Sequence, residues 1–348
     1  MSSQYYPDLS TCPWFWLDKI RLAIVVTVKH QSRTQLIHLH HDIDKLKEES
    51  EMKQSFAIVG CGKVGTALGI FLAKAGYQAV GLAGRSLASA RRTAEIIRCD
   101  HYSDVPWEIT RNAAVVFITT PDGAIIETCD SIAGHKGFAD KAVVLHCSGA
   151  LPSTILSTAK TCGARTGSMH PLQTFASTEF IANPFQGITV AIDGENDAVN
   201  MAKQIAADLG GSSVTILTEA KTLYHASAVV ASNYLVTLLD LALRLMGASG
   251  IAGRDAFKIL KPLIEGTLSN IEEVGIPAAL TGPIVRGDLE TVEKHIKEIG
   301  LITPQLLDLY KTLGWYTIDI ATAKTTISET TVKQLKKLLE PSGKQIRI

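Results

Sequence analysis

Apolar residues fall into short runs of strand length, Phe56–Val59, Gln78–Ala83, Ala113–Thr119, Ala142–Cys147, Arg165–Met169, Ile188–Ile192 and Val214–Leu217. Helix-type spacing lies between several of them, as in Thr66–Lys74, which stops at Gly76, and Asn196–Leu209. Apolar strands alternating with helices predict a mainly parallel, doubly wound α/β sheet. Beyond residue 218 the pattern changes. From Lys221 to about Met246 only Asp240 and Arg244 carry charge past the first turn, which predicts a long helix buried between domains, and Leu289–Ile299 restores helical periodicity. The expected organisation is an α/β domain over residues 52–218 and an all-α domain over 219–348. Residues 1–51, with Trp14-Phe15-Trp16 and a polar stretch containing His38, His40, His41 and Asp42, read as a poorly ordered extension. No second ligand group with zinc spacing follows those histidines, so no metal is expected.

The first strand runs into Gly60-Cys61-Gly62-Lys63-Val64-Gly65, a G-x-G-x-x-G turn in the order strand, glycines, helix. Gly60 permits the tight turn, Gly62 lets backbone approach a pyrophosphate, Gly65 lets the helix pack closely, and the helix N-terminus attracts the anion. This is a Rossmann dinucleotide site. Where an NAD enzyme places an acidic residue after the second strand, the chain reads Gly84-Arg85-Ser86. An arginine and a hydroxyl suit a 2′-phosphate, so the expected cofactor is NADP(H). Thr120-Pro121-Asp122 turns the next strand into a helix along the cofactor, with Asp122 as the expected N-cap.

Three further places face the ligand crevice. Ser148 and Gly149 end one strand with small residues, and His170 ends the next. Lys221 and His225, spaced i, i+4, share one face of the long helix; Ser232 returns to that face and Asn233 lies beside it. A lysine opposed by the helix dipole asks for a reason. Reduction of a carbonyl or imine needs a proton donor and groups to hold the substrate, and Lys221, His225 and His170 can supply them; the spacing leaves open which one donates. Farther on, Thr281–Asp288 forms an interhelical loop in which Arg286 can pair with a carboxylate and Asp288 can cap the following helix.

Composition narrows the partners. Lys and Arg balance Asp and Glu at 34 each, leaving no cationic excess for a nucleic acid or an anionic bilayer. No apolar run of roughly 18 residues and no signal-peptide pattern is read, and the six cysteines lack paired spacing. A cytoplasmic protein with reduced thiols and a small-molecule substrate is expected.

Residues 52 to 325 resemble a family of Rossmann-like oxidoreductases with a C-terminal domain of unknown function. That family is related to ketopantoate reductases, pyrroline-carboxylate reductases and the β-hydroxyacid dehydrogenases, and so to the C-terminal type of 6-phosphogluconate dehydrogenase. The motifs that carry the resemblance are Gly60–Gly65, Gly84-Arg85-Ser86, Thr120-Pro121-Asp122, His146–Ala150, Met169–Gln173, Tyr224-His225 with Ser232-Asn233, and Leu280–Asp288. The resemblance implies reduction of a small 2-oxo acid, ketopantoate first, or of a cyclic imine. It also implies a homodimer formed through the helical domain, with Arg286 reaching a partner's site. Two alternatives stand beside it: a dehydrogenase of another substrate on the same cofactor, and a nonenzymatic NADP-binding sensor or scaffold.

Overall fold

The computed structural model describes residues 53–251, 253–324 and 327–341. The extension over 1–51, with its histidines, lies outside them. Eight strands build one sheet: β1 (Ser55–Val59), β2 (Gln78–Ala83), β3 (Tyr102–Ser103), β4 (Val115–Ile118), β5 (Val143–His146), β6 (Arg165–Pro171), β7 (Thr189–Gly194) and β8 (Ser212–Thr215). Their spatial order is β3-β2-β1-β4-β5-β6-β7-β8. Every neighbouring pair is parallel except β6 and β7, which run antiparallel.

The helices α1 (Lys63–Lys74), α2 (Leu87–Ile97), α3 (Pro106–Thr110), α4 (Asp122–Gly134), α5 (Ser157–Thr161) and α6 (Asn196–Asp208) cover the sheet. β4 and β5 are buried at every residue, as strands covered on both faces must be. Alternation along the strands separates two cores. Phe56, Ile58, Phe117 and Leu145 belong to one, and Ala57, Val59, Val116 and Val144 to the other. Chain order reverses at β1, with β2 on one side and β4 on the other, which opens a crevice at the carboxyl ends of the strands.

The chain divides into two compact units after Ala226. Helix α7 (Lys221–Val229) therefore gives its first six residues to the sheet unit. A π turn, Val230–Tyr234, follows, then α8 (Leu235–Ala248), α9 (Arg254–Val274), α10 (Ile276–Ala279), α11 (Pro283–Arg286), α12 (Leu289–Ile302), α13 (Leu307–Ala323) and α14 (Glu329–Leu338). Helices joined by short turns make up the described residues of this second unit, with a small core of Val292, Ile318, Leu335 and Leu339. Asp288 caps α12 as expected, its carboxylate accepting from the Thr291 backbone N–H at 3.0 Å.

Two expectations about the long helix are corrected. Its apolar composition reads as burial, yet between Lys221 and Ala248 only Lys221 and Leu241 are buried; Leu223 is 77% exposed and Val236 67%. Apolar content records the cover a helix can accept, not the cover that one chain supplies. Secondly, Thr218–Ala248 is long and apolar enough, by length and composition, to cross a bilayer. Asp240 and Arg244 interrupt the run in sequence, but they pair with each other at 2.7 Å one turn apart and leave the helix unbroken.

Candidate functional site

At the glycine turn the backbone dictates the residue types. Gly60 sits at φ +117, and a Cβ there would stand 2.6 Å from the Thr119 carbonyl carbon and 2.7 Å from the Thr120 nitrogen. A Cβ on Gly65 would collide with the Gly60 carbonyl oxygen and come within 2.5 Å of Thr119 Oγ1. Thr119 Oγ1 donates to that same carbonyl at 2.7 Å, which ties the turn to the end of β4. Gly62 differs: nothing lies within 4 Å of its Cβ position. It is the N-cap of α1 and contributes no side-chain cap, so the first-turn amides from Lys63 and Val64 onward face a surface open to an anion. The Cys61 thiol donates to the Ala83 carbonyl at 3.4 Å, and burial pushes its pKa up to about 11.

Thr120 Oγ1, next to this cradle, is buried with no hydrogen-bond partner among the described residues, which calls for a ligand group since such atoms are costly to leave bare. Pro121 precedes α4 at the cap position. Past the end of β2, Arg85 is exposed and Ser86 caps α2 by accepting from the Ser89 N–H at 3.3 Å. The collision-limited cradle, the open Gly62 and the unsatisfied Thr120 together fit a dinucleotide.

The second part of the site forms where α7 meets β6 and β7. Ser168 and His170 are two residues apart and so share a face of β6, while Asp193 lies opposite Ser168 in the β7 register. Two strand residues rise about 6.6 Å. One helical turn from Lys221 to His225 rises about 6 Å, so α7 can place one polar residue on each step. Lys221 Nζ bonds Asp193 Oδ1 at 2.7 Å and donates to Ser168 Oγ, which itself donates to Asp193; Asp193 Oδ2 accepts from the Ser153 N–H at 2.9 Å. Lys221 and Asp193 are 1% and 0% exposed at their side chains. Burial would raise the Asp193 pKa, but the bonds from Lys221, Ser168 and Ser153 outweigh it and hold the carboxylate below its usual range. Burial also pulls the Lys221 pKa down, against the pull of Asp193.

One turn along, Tyr224 Oη lies 2.9 Å from His170 Nδ1, with the two rings edge to face. His225 packs against His170 at 6.0 Å between ring centroids and 80° between planes. Both imidazoles close over Gly149, whose Cβ position is 2.5 Å from His225 Nδ1 and 2.8 Å from His170 Nε2. His225 Nδ1 is buried and has no hydrogen-bond partner among the described residues. Burial, and then the charge of Lys221, lowers the His170 pKa to about 4. The same causes hold His146 at about 4; its Nδ1 accepts from the Ser148 N–H at 3.2 Å, which leaves Nε2–H to donate to the Pro152 carbonyl at 3.3 Å.

The structure thus brings Lys221, His225, His170, Ser148 and Gly149 together in the first unit. Ser148 Oγ is fully engaged, donating to Asp122 Oδ2 at 2.8 Å and accepting from the Ala150 and Leu151 amides. That bond corrects the role expected of Asp122, which stands in the first turn of α4 and makes no N-cap bond because its carboxylate reaches across to Ser148. Ser232 and Asn233 lie inside the π turn of the second unit, where a widened turn ends the i+11 relation to Lys221. Arg286 is exposed at the end of α11 in that unit. Asp193, Ser168 and Tyr224 escaped sequence reasoning. An acidic residue closing the apolar run Thr189–Gly194 was the available signal for Asp193.

Two family models match the chain. A Rossmann-like domain covers residues 43–171, and a domain of unknown function, DUF2520, covers residues 188–317. Among solved structures, a protein from Thermotoga maritima is similar at 26% identity and TM-score 0.61, over 78% of this chain and 99% of that one. A putative NADP oxidoreductase from Bacteroides fragilis is similar at 23% identity and TM-score 0.62, over 78% and 98%. An imine reductase from Myxococcus stipitatus, in complex with NADP+, shares the fold at 13% identity and TM-score 0.55, over 82% and 100%. No curated protein matches the chain.

Proposed function

For a chain that joins a Rossmann-like domain to a DUF2520 domain, we propose an NADP(H)-dependent oxidoreductase that reduces a small 2-oxo acid of ketopantoate type, or a cyclic imine, by hydride transfer. The observation that carries this reading is the convergence of two imidazole nitrogens on Gly149, at the carboxyl edge of the sheet whose glycine turn is shaped for a diphosphate. The similar fold of an imine reductase that holds NADP+ supports it.

In this reading Gly60 to Gly65 and Thr120 hold the diphosphate side of the cofactor, and Arg85 with Ser86 takes the 2′-phosphate. The bound nicotinamide supplies the hydride. The chain's own part is to bind and polarise the acceptor: His225 Nδ1 offers an unused buried hydrogen-bonding atom, and His170 stays neutral at physiological pH. Lys221 serves as a positioning residue, since its ammonium is sealed into the Asp193 ion pair. Ser232, Asn233 and Arg286 are proposed to hold the remainder of the substrate.

The protein is proposed to work in the cytoplasm as a homodimer formed through the helical domain. Among the described side chains of α9 only Ala256 is buried, whereas Phe257, Ile259, Leu263, Leu268 and Val274 are exposed, more apolar surface than a solvated helix usually carries. Sedimentation at micromolar concentration is expected to give twice the chain mass, and a fully active monomer would overturn the dimer.

Fluorescence titration with NADPH and NADH, followed by a panel of 2-oxo acids and cyclic imines read at the nicotinamide absorption band, tests the whole. The expected result is tighter binding of NADPH and its oxidation with one of the two substrate classes. Binding without turnover on any compound would favour a sensor, and no binding would end the reading.

A further inference from the structure

His146 and His170 stand at the ends of adjacent strands, and their ring nitrogens are committed differently. Both nitrogens of His146 are bonded to backbone, so its tautomer serves the fold alone. In His170, among the described residues, only Nδ1 meets a partner at hydrogen-bond distance, the Tyr224 phenol at 2.9 Å, while Nε2 is turned to the Gly149 surface. A phenol is a stronger hydrogen-bond donor than a neutral imidazole N–H, and an unprotonated imidazole nitrogen is a far better acceptor than a phenol oxygen. The favoured arrangement is therefore O–H donating to Nδ1, which leaves the His170 proton on Nε2.

We propose that Tyr224 is a positioning residue that fixes His170 as the Nε2–H tautomer, so that a neutral imidazole presents a hydrogen-bond donor over Gly149 to the carbonyl oxygen or imine nitrogen of the substrate. The nature of the acceptor rests on the reductase reading; the tautomer does not. Lys221, His225 and Asp122 are the titratable groups that act on His170 besides Tyr224. Burial first, then the cationic lysine and the second imidazole, disfavour a positive charge on it against the opposing pull of Asp122, which keeps a neutral donor in place of an imidazolium. Gly149 completes the device. A side chain there would fill the space into which Nε2 points. A neutral donor held this way polarises the acceptor, which takes its proton from water once hydride has arrived, and it stays constant over the pH range in which an ordinary histidine would change charge.

The test uses the full chain labelled with 15N-histidine, and a long-range proton–nitrogen spectrum at neutral pH in which the His170 resonances are assigned by their loss in His170→Asn. The expected pattern is a protonated Nε2 and an unprotonated, hydrogen-bonded Nδ1. Tyr224→Phe keeps the ring but removes the hydroxyl, and is expected to erase the preference, giving mixed tautomers. On a responding substrate it should lower kcat on the order of tenfold, the worth of one ordinary hydrogen bond, with KM for NADPH unchanged. A wild-type His170 protonated at Nδ1, or a spectrum that Tyr224→Phe leaves unaltered, overturns the proposal; the wild-type pattern decides it if the variant fails to fold. The expected spectra together with no turnover on any carbonyl or imine would end the reductase reading and leave the tautomer assignment standing.

Discussion

Lys221 and His225 stand one turn apart on the same face of α7 and are in opposite conditions. The lysine has a carboxylate and a hydroxyl around its ammonium and almost no exposure. The histidine has a buried nitrogen that nothing among the described residues satisfies. A buried polar atom with its bonds complete belongs to the architecture, whereas one left incomplete in a well-packed site is available to a ligand. By that criterion the two residues that look equivalent in the sequence separate, and Thr120 at the cofactor turn falls with His225.

The sharpest way to break this comparison is to disrupt the ion pair. Asp193→Leu strands a buried ammonium and should cost about 3–5 kcal/mol in urea unfolding, while adding Lys221→Met should recover most of the loss. Turnover retained in that double variant would fix Lys221 as structural; a folded double variant with no turnover would make it the acid. Next in size is the pH dependence of stability. His146 has a pKa of 6.5 when exposed and about 4 when folded, so below pH 6.5 the unfolded chain takes up the proton first. Its contribution is complete above pH 6.5 and falls away as the pH drops towards 4, by about 3 kcal/mol in all. Unfolding midpoints between pH 7 and 4 should show this slope together with a similar one from His170, and His146→Gln should remove about half of the total.

Gly149→Ala probes the other side of the comparison. The new methyl would sit 2.5 Å from His225 Nδ1 and 2.8 Å from His170 Nε2, so an imidazole must move. A stability cost of about 1–3 kcal/mol is expected, with turnover lost and NADPH affinity retained in the same titration. Arg85→Ala should have the smallest effect, weakening NADPH about tenfold while leaving NADH unchanged, the share of one charge-assisted bond. Equal weakening of both cofactors would remove the 2′-phosphate assignment.

Legibility in the sequence followed the range of the interactions. β2 was bounded from its apolar run alone, and the Gly60–Gly65 turn from its spacing, because backbone geometry within a few residues dictates both. Asp288 was readable as a cap for the same local reason. The partner of Lys221 was not, since Asp193 is 28 residues away and reaches it only through the antiparallel register of β6 and β7. The sequence motif gives Tyr224 no visible task, because its partner His170 lies 54 residues distant. The exposure of the long helix was hidden because composition is blind to which surfaces meet.

The π turn at Val230–Tyr234 adds a consequence for how such a chain can change over generations. An α-helix advances by about 100° per residue, so one extra residue would turn everything after it by that angle unless a wider turn absorbs it, and a π turn does so while both flanking helices keep their own hydrogen bonds. Loss of a single codon there would restore a regular α-helix with both flanking segments intact. A one-residue insertion or deletion in this segment is thus a dial rather than a lesion, able to change which residues the turn itself presents without redesigning either helix.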